Sequence, residues 1–269
     1  MNQAKDFGAT FPAALHAEWT KLRTVAGPAW LLAALVALTI AVSALSAQAV
    51  NCPSGPDCPV DPAKLSLTGI EFGQAVVAVL AVLAISTEYS TGMIRVTLTA
   101  MPRRTTVLAA KAGLLAGLVL VAGALAVAGS LLAGRLILPG HGFTPAHGFA
   151  LLTPANETVL RAAAGSVLYL ALIALLSLGI AAAVRDSAVA IGIVLGLLYL
   201  LPIVANVVTN EQWHRHLEQI GPMTAGLAIQ ATTDLSSLPI SPWTGLGVLA
   251  AWAGGALLAG GLVLKLRDA

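Results

Sequence analysis

Six long apolar segments, each nearly free of charge, constrain this chain more than any other feature of its sequence. They cover residues 29–50, 69–87, 108–138, 159–184, 188–208 and 243–264. About 20 mostly apolar residues are enough for a helix to cross the hydrocarbon of a bilayer. Only 10% of the residues are charged, against about 25% in a typical soluble domain. The sequence therefore predicts an all-α membrane protein, with six transmembrane helices in a domain that covers residues 29–269.

Basic residues are distributed unevenly between the two ends of these segments. With the N-terminus in the cytoplasm, the inner side carries Lys5, Lys21, Arg23, Arg95, Arg103, Arg104, Lys111, Arg185, Lys265 and Arg267. The outer side carries Lys64, Arg135, Arg161 and Arg215. Cytoplasmic loops are enriched in lysine and arginine. We therefore expect a multi-pass protein of the cell membrane with both termini in the cytoplasm. No basic stripe with interleaved aromatic residues is present, so we expect no nucleic-acid partner.

The segment before the first span, residues 1–28, has the pattern of a cytoplasmic tail followed by an amphipathic helix. Its apolar positions recur at helical spacing, at Leu15, Trp19, Leu22 and Ala26. We expect Pro12 in the first turn of this helix and the Gly27–Pro28 pair at its end. Trp19 suits the membrane interface, and Lys21 and Arg23 suit anionic lipid headgroups. The pattern favours a helix that lies on the bilayer, although it is also compatible with an ordinary helix packed on protein.

The loop between the second and third spans begins abruptly with polar residues at Glu88 and Tyr89. Gly92 permits a change of chain direction and Pro102 imposes one. The intervening segment, residues 93–98, is short and mostly apolar. Such a segment is either a docking site for a soluble partner or a solvated loop whose arginines only set the topology.

This loop also carries a family resemblance. Glu-Tyr-Ser-Thr-Gly at 88–92, followed by Ile-Arg and a Pro-Arg-Arg turn, resembles type 2 ABC transporter permeases. The Glu-Trp-Thr-Lys-Leu-Arg-Thr segment at 18–24 is similar to the connecting helix of that family. The resemblance implies a six-span exporter subunit that pairs with a second permease, identical or different, and binds a separate ATPase. It implies ATPase contacts at Glu88, Tyr89, Ser90, Thr91, Gly92 and Arg95, with Arg185 and Asp186 as a minor second contact.

The chain has no phosphate-binding Gly-x-x-x-x-Gly-Lys-Ser/Thr loop of its own. The energy for any active transport must then come from a partner or an ion gradient. The resemblance implies the first: a transport subunit that is not an enzyme and binds no cofactor, with ATP and Mg on the partner ATPase. Two other classes remain open. One is a self-sufficient secondary transporter or channel, and the other is a non-transporting membrane subunit that acts in assembly or immunity.

Few polar residues lie within the spans, and these are the candidates for a substrate pathway. Glu71 is the main charged residue in a span, and Pro202 should kink the fifth span one turn before Asn206. Because the second and fifth spans line the pathway in the resembling family, these three residues are candidates for shaping it. The Gly-x-x-x-Gly pair Gly192 and Gly196 allows close helix packing, within the bundle or between subunits.

Two cysteines, Cys52 and Cys58, fall in the predicted outer loop after the first span. An oxidising compartment would allow them to form a disulfide, and two free thiols are the alternative. His214 and Glu218 could share one helix face, but a pair of surface ligands is too few for a metal site. We expect none.

Overall fold

The protein is all-α and is built around six helices that are long and apolar enough to cross a membrane. Its computed structural model describes residues 3–52, 60–93, 104–144, 149, 152–153 and 155–266, with side chains from residue 12 onward except at 13 and 104. Within these ranges no strand occurs. The sequence prediction of an all-α membrane protein with six spans is therefore confirmed.

Eleven α-helices follow one another along the described chain. They are α1 (Gln3–Thr24), α2 (Ala26–Ala49), α3 (Pro62–Ser66), α4 (Ile70–Ser90), α5 (Arg104–Ile137), α6 (Glu157–Val184), α7 (Ser187–Leu195), α8 (Leu201–Val207), α9 (Glu211–Ile220), α10 (Pro222–Leu227) and α11 (Pro242–Leu266). A π-helical turn, Gly196–Leu200, joins α7 and α8 into a single span. The other spans are α2, α4, α5, α6 and α11.

Successive spans run in opposite directions, which gives the bundle two ends of different character. One end, here called the α1 end, carries α1, the turn after α4, the start of α5 and the turn between α6 and α7. The other, here called the loop end, carries α3, α9 and α10. Each end is held together by side-chain contacts between segments that are distant in sequence.

The centre of the bundle is α6, which packs against α4, α5 and α11. Its inward residues include Tyr169, Ile173 and Leu176, all fully buried. A side chain at Gly179 would collide with the backbone of Ala256 in α11. Glycine therefore allows α6 and α11 to approach closely, as small residues do between helices in lipid. By contrast, α2 and the α7–α8 span keep large apolar side chains such as Trp30 and Leu200 exposed, as is typical of surfaces that face lipid.

The predicted helix boundaries differ from the observed ones by a few residues, and the differences at α1 have physical causes. Pro12 lies inside α1 and not in its first turn, because the helix already begins at Gln3. The break comes at Val25, whose backbone is extended, a conformation that suits a β-branched residue. Gly27 and Pro28 therefore belong to the first turn of α2, where proline is tolerated.

In the fifth span, the irregularity lies just before Pro202 and takes the form of the π-helical turn. Proline removes a backbone donor and disrupts the regular helical ladder. Asn206 donates a hydrogen bond from its side chain to the carbonyl of Pro202 at 3.0 Å, so it supports the helix on the far side of the break.

Candidate functional site

Four charged side chains from three helices meet at the α1 end and form what we call the charged junction. They are Glu18 and Lys21 of α1, Glu88 of α4 and Lys111 of α5. The Nζ atom of Lys21 lies 2.9 Å from Glu18 Oε1 and 2.8 Å from Glu88 Oε1. The Nζ atom of Lys111 lies 2.5 Å from Glu18 Oε2 and 2.8 Å from Glu88 Oε1. Each lysine thus bridges both carboxylates.

Most of this junction is shielded from solvent. Glu18 is 2% exposed, and Glu88 and Lys111 are each 6% exposed, whereas the side chain of Lys21 keeps 30% of its surface. Burying one unpaired charge is costly, and two acids facing two bases remove most of that cost. The junction therefore ties α1, α4 and α5 together at a point where none of the three can move independently without exposing or unpairing a charge.

The inward face of α1 explains how these residues reach the junction. Ala14, Glu18 and Lys21 follow one another at helical spacing, and Ala14 and Glu18 are buried. Trp19 lies on another face and is 45% exposed. Leu15 and Leu22 are half-buried, and the contact of this helix with lipid stays a prediction. For Lys21 the prediction was incomplete, since its ammonium group binds two carboxylates of the protein rather than being left for a headgroup alone.

The pKa of Lys21 reflects this position. Partial burial lowers the pKa, but hydrogen bonds to Glu88 and Glu18 and the charges of the same two carboxylates raise it by more. The net pKa is above the ordinary lysine value of 10.5. Lys21 is therefore charged at any physiological pH, and its ion pairs with Glu18 and Glu88 persist.

A second set of contacts connects the end of α4 to the turn between α6 and α7. The guanidinium carbon of Arg185 lies 5.4 Å from the ring centroid of Tyr89, within the range of a cation–π contact. Arg185 Nη2 also donates to the carbonyl of Val263 in α11 at 3.3 Å. Arg185 has a left-handed backbone and ends α6, while the Asp186 carboxylate caps α7 through the Val189 amide at 2.8 Å. Both residues therefore stabilise the α6–α7 turn, and Asp186 is also exposed.

The polar turn that follows α4 projects next to the charged junction. Ser90, Thr91, Gly92 and Met93 are all exposed. The hydroxyls of Ser90 and Thr91 donate to the carbonyl of Thr87 at 3.1 and 2.7 Å, and Gly92 has a positive φ of 70° that reverses the chain. Arg95, also predicted to belong to this surface, lies outside the described residues. Within the described part of this loop, residues 90–93 are exposed and Glu88 lies behind them.

An open groove adjoins the junction on the side of α2. Its volume is about 540 Å³, and it is lined by Leu22 of α1, Leu31 of α2, and Leu80 and Leu83 of α4 as well as by the junction itself. The ion pair between Lys21 and Glu88 connects α1 to α4 at one side of this groove.

A separate polar cluster lies in the half of the bundle near the loop end. The hydroxyl of Tyr169 donates to Gln74 Oε1, and Gln74 Nε2 contacts the sulfur of Met223 at 3.2 Å. The hydroxyl of Tyr199, in the π-helical turn, donates to the backbone carbonyl of Glu71 at 2.5 Å. Glu71 is therefore adjacent to the fifth span.

The other two pathway candidates do not join this cluster. Asn206 is exposed and its side chain is engaged with Pro202. Of the three predicted pathway residues, the structure thus places one, Glu71, at the contact between the second and fifth spans.

Three further residues singled out in the sequence, Cys52, His214 and Glu218, lie at the loop end. Cys52 is buried and disulfide-bonded; Cys58, its predicted partner, lies outside the described residues, so the pairing stays a prediction. His214 Nε2 lies 3.4 Å from Glu218 Oε1. Among the residues whose side chains are described, no three His, Cys, Asp or Glu residues form a group that could hold a metal ion.

Sequence analysis missed two members of the junction, Glu18 and Lys111. Lys111 carried a usable signal, because a lysine inside an apolar segment requires an acidic partner. Glu18 precedes Lys21 by three residues, so the two share a helix face. What the sequence did not contain was the rotation of α1, which decides whether that face meets lipid or protein.

Comparison with known proteins gives no assignment, since no family model matches the chain and no curated protein is similar to it. The fold establishes a multi-pass membrane protein with six candidate spans. Any function must be inferred from the charged junction, the exposed turn beside it and the topology.

Proposed function

We propose that this chain is the membrane-spanning permease subunit of an ATP-binding cassette exporter and docks a separate ATPase at the turn after α4. One observation carries this proposal: the exposed turn 90–93 follows directly on Glu88, whose carboxylate is buried and bonded to Lys21 of α1 and Lys111 of α5. A partner that pushes on this turn therefore acts on three helices together.

The proposed orientation places the α1 end in the cytoplasm of a cell whose membrane the protein spans. Of the lysines and arginines within the described ranges, seven belong to the α1 end: Lys5, Lys21, Arg23, Arg104, Lys111, Arg185 and Lys265. The remaining four, Lys64, Arg135, Arg161 and Arg215, belong to the loop end. The positive-inside rule favours this orientation, in which the docking turn faces the compartment that contains ATP.

The charged junction supplies a physical route for coupling. If the ATPase displaces the turn 90–93, Glu88 either moves with the turn or loses its ion pairs with both lysines. Losing the ion pairs would leave a buried charge unpaired, which is energetically costly, so Glu88 moves with the turn. Displacement of α4 is therefore passed to α1 through Lys21 and to α5 through Lys111. The contact between Tyr89 and Arg185 extends the movement to the α6–α7 turn.

ATP binding and hydrolysis belong, in this proposal, to the partner. The sequence has no phosphate-binding loop, so the chain acts as a transport subunit and not as an enzyme, with ATP and Mg held by the ATPase. The membrane subunit contributes the pathway and the docking surface.

Pairing with a second permease, either identical or different, is part of the same proposal. Gly192 and Gly196 lie on the α7–α8 span, and a side-chain carbon added at either would meet no described atom within 4 Å. Glycines spaced by four residues allow two helices to approach closely in lipid. Glu71 lies beside this span through its contact with Tyr199, which supports it as a pathway candidate alongside Pro202 and Asn206.

Copurification in a mild detergent tests the proposal. The wild-type chain is expected to retain an ATPase with a phosphate-binding loop. Thr91→Arg should reduce the retained ATPase by about tenfold, because a bulky cation on the docking turn opposes close contact. Thr209→Arg is the matched control, since Thr209 is an exposed threonine at the loop end, and it should retain the ATPase.

Other outcomes would replace the proposal with one of two alternatives. Ion-driven transport by the purified chain alone in liposomes would identify a self-sufficient transporter or channel. Absence of both a bound ATPase and any transport would favour a non-transporting subunit that acts in membrane assembly or immunity.

A further inference from the structure

A groove at the loop end runs between α5 and α6 and opens sideways from the bundle. Its volume is about 420 Å³. Small side chains form it, with Ala124 and Ala128 contributed by α5 and Ala163 and Ala164 by α6. Three of these four alanines are exposed, and Ala163 is half-buried. Because both helices are membrane spans, the groove opens toward lipid.

The groove has the length of one lipid chain within a leaflet. Its lining on α5 extends from Ala124 to Arg135, which at 1.5 Å per residue is roughly 16 Å along the helix. Half of the ~30 Å hydrocarbon core of a bilayer is about 15 Å. Leu131 and Leu132 line it on α5 between Ala128 and Arg135, so its surface on this helix is apolar along this length and charged at one end.

Arg135 distinguishes the end of the groove from an ordinary lipid-facing crevice. The side chain is exposed and makes no hydrogen bond or ion pair with any residue in the described part of the chain. The other arginines of the loop end are engaged. Arg161 donates to the carbonyl of Ala231 at 2.5 Å, and Arg215 binds Glu211 at 2.6 Å. Thr153 borders the same groove as Arg135.

We propose that this groove binds one membrane phospholipid, with an acyl chain between α5 and α6 and the phosphate on Arg135. A guanidinium group presents two parallel N–H donors to phosphate oxygens and is suited to such a headgroup. The apolar walls match a hydrocarbon chain, and the single cation lies at the depth where a headgroup begins. The inference does not depend on the ATPase, since it requires only that the chain spans a bilayer.

Native mass spectrometry of the purified full-length chain tests the acyl-chain part of the site. With phosphatidylglycerol as the probe, the wild type should retain one lipid after delipidation and titration. Ala128→Leu fills the groove from an exposed position and should weaken retention by at least about tenfold. Ala251→Leu is the matched control, because Ala251 is an exposed alanine of another span, α11, and retention should not change.

The phosphate contact is tested by a second pair of variants. Arg135→Gln should weaken phosphatidylglycerol binding by about tenfold, the loss expected for a charge-assisted hydrogen-bonded pair, and should leave binding of diacylglycerol, which lacks phosphate, unchanged. Arg215→Gln removes an exposed arginine from the same end and should change neither.

Equal lipid retention by Ala128→Leu and Ala251→Leu would overturn the proposal. The proposal would also be overturned if the wild type were a dimer and Ala128→Leu were a monomer. The groove would then hold a second copy of the chain. If thermal unfolding shows that Ala128→Leu does not fold, Ala164→Leu fills the groove from α6 and decides the same question.

Discussion

Glu88 makes the contacts on which the proposed coupling depends. A single oxygen, Oε1, lies 2.8 Å from the Nζ atoms of both Lys21 and Lys111. Its second oxygen, Oε2, is buried and accepts no hydrogen bond from any described residue. The charge of Glu88 is thus compensated entirely through Oε1, which makes the carboxylate sensitive to the loss of either lysine.

Removal of Lys111 should therefore destabilise the protein strongly. Lys111→Met leaves Glu18 and Glu88 with Lys21 as their shared partner, and breaking a buried pair in this way costs about 3 kcal/mol or more. Thermal unfolding of the detergent-solubilised chain measures the effect. Combining Lys111→Met with Glu18→Gln should recover part of the loss, because one carboxylate then no longer requires a cation. A Tm unchanged in Lys111→Met would mean that the junction contributes no stability.

The raised pKa of Lys21 predicts the pH dependence of its contribution to stability. Because the folded-state pKa exceeds the ordinary value of 10.5, the stabilisation is complete below that pH and is lost as pH rises through the folded-state pKa. The difference in Tm between the wild type and Lys21→Met should be constant at neutral pH and shrink above pH 10.5. Lys265→Met removes an exposed lysine from the same end and is the control for the loss of a cation there. If the Tm difference between the wild type and Lys21→Met grew at alkaline pH, the raised pKa of Lys21 would be contradicted.

Among the helices, α1 marks the limit of what the sequence predicts. The recurrence of Leu15, Trp19 and Leu22 predicted an amphipathic helix, and α1 covers those residues. The pattern identifies an apolar face and a polar face but not their surroundings. In a soluble helix the polar face meets water, whereas here part of it, Glu18 and Lys21, packs against two spans that supply complementary charge. That contact arises from tertiary structure, which no local pattern contains.

At the loop end, a single carboxylate ties the short helix α3 to the loop before α11. Asp61 Oδ1 caps α3 through the amides of Ala63 and Lys64 at 3.0 and 3.2 Å. The same oxygen accepts a hydrogen bond from the Thr232 hydroxyl at 2.7 Å, and Oδ2 accepts one from the Thr233 amide at 3.2 Å. Asp61 therefore links two segments of the loop end that are 171 positions apart in the sequence.

Asp61→Ala should loosen both segments at once. Losing a helix cap and its accompanying side-chain hydrogen bonds costs about 1–2 kcal/mol, and amide hydrogen exchange should rise in α3 and around Thr232 together. Asp186→Ala is the control, because it removes the cap of α7 without a link to a distant loop, so exchange should rise only at α7. Unchanged exchange around Thr232 in Asp61→Ala would refute the link.

At the scale of the whole molecule, the sequence predicted the number and approximate limits of the spans. A continuous apolar segment of sufficient length predicts a membrane-spanning helix directly. The predicted segment 188–208 therefore matches the span formed by α7 and α8, although a π-helical turn interrupts it. Contacts between spans follow from packing, and a uniformly apolar helix does not disclose which face turns inward. The pairing of Tyr199 with Glu71 and the junction at Glu88 could therefore be found only in three dimensions.

If the turn after α4 meets an ATPase in the cytoplasm, as we propose, cysteine cross-linking in intact membranes should capture that contact. Thr91→Cys places a thiol on the exposed turn, and Thr209→Cys places one at the loop end. With a short bifunctional reagent, Thr91→Cys is predicted to yield a covalent adduct with a protein that carries a phosphate-binding loop, and Thr209→Cys none. An ATPase adduct formed by Thr209→Cys and absent from Thr91→Cys would contradict the account.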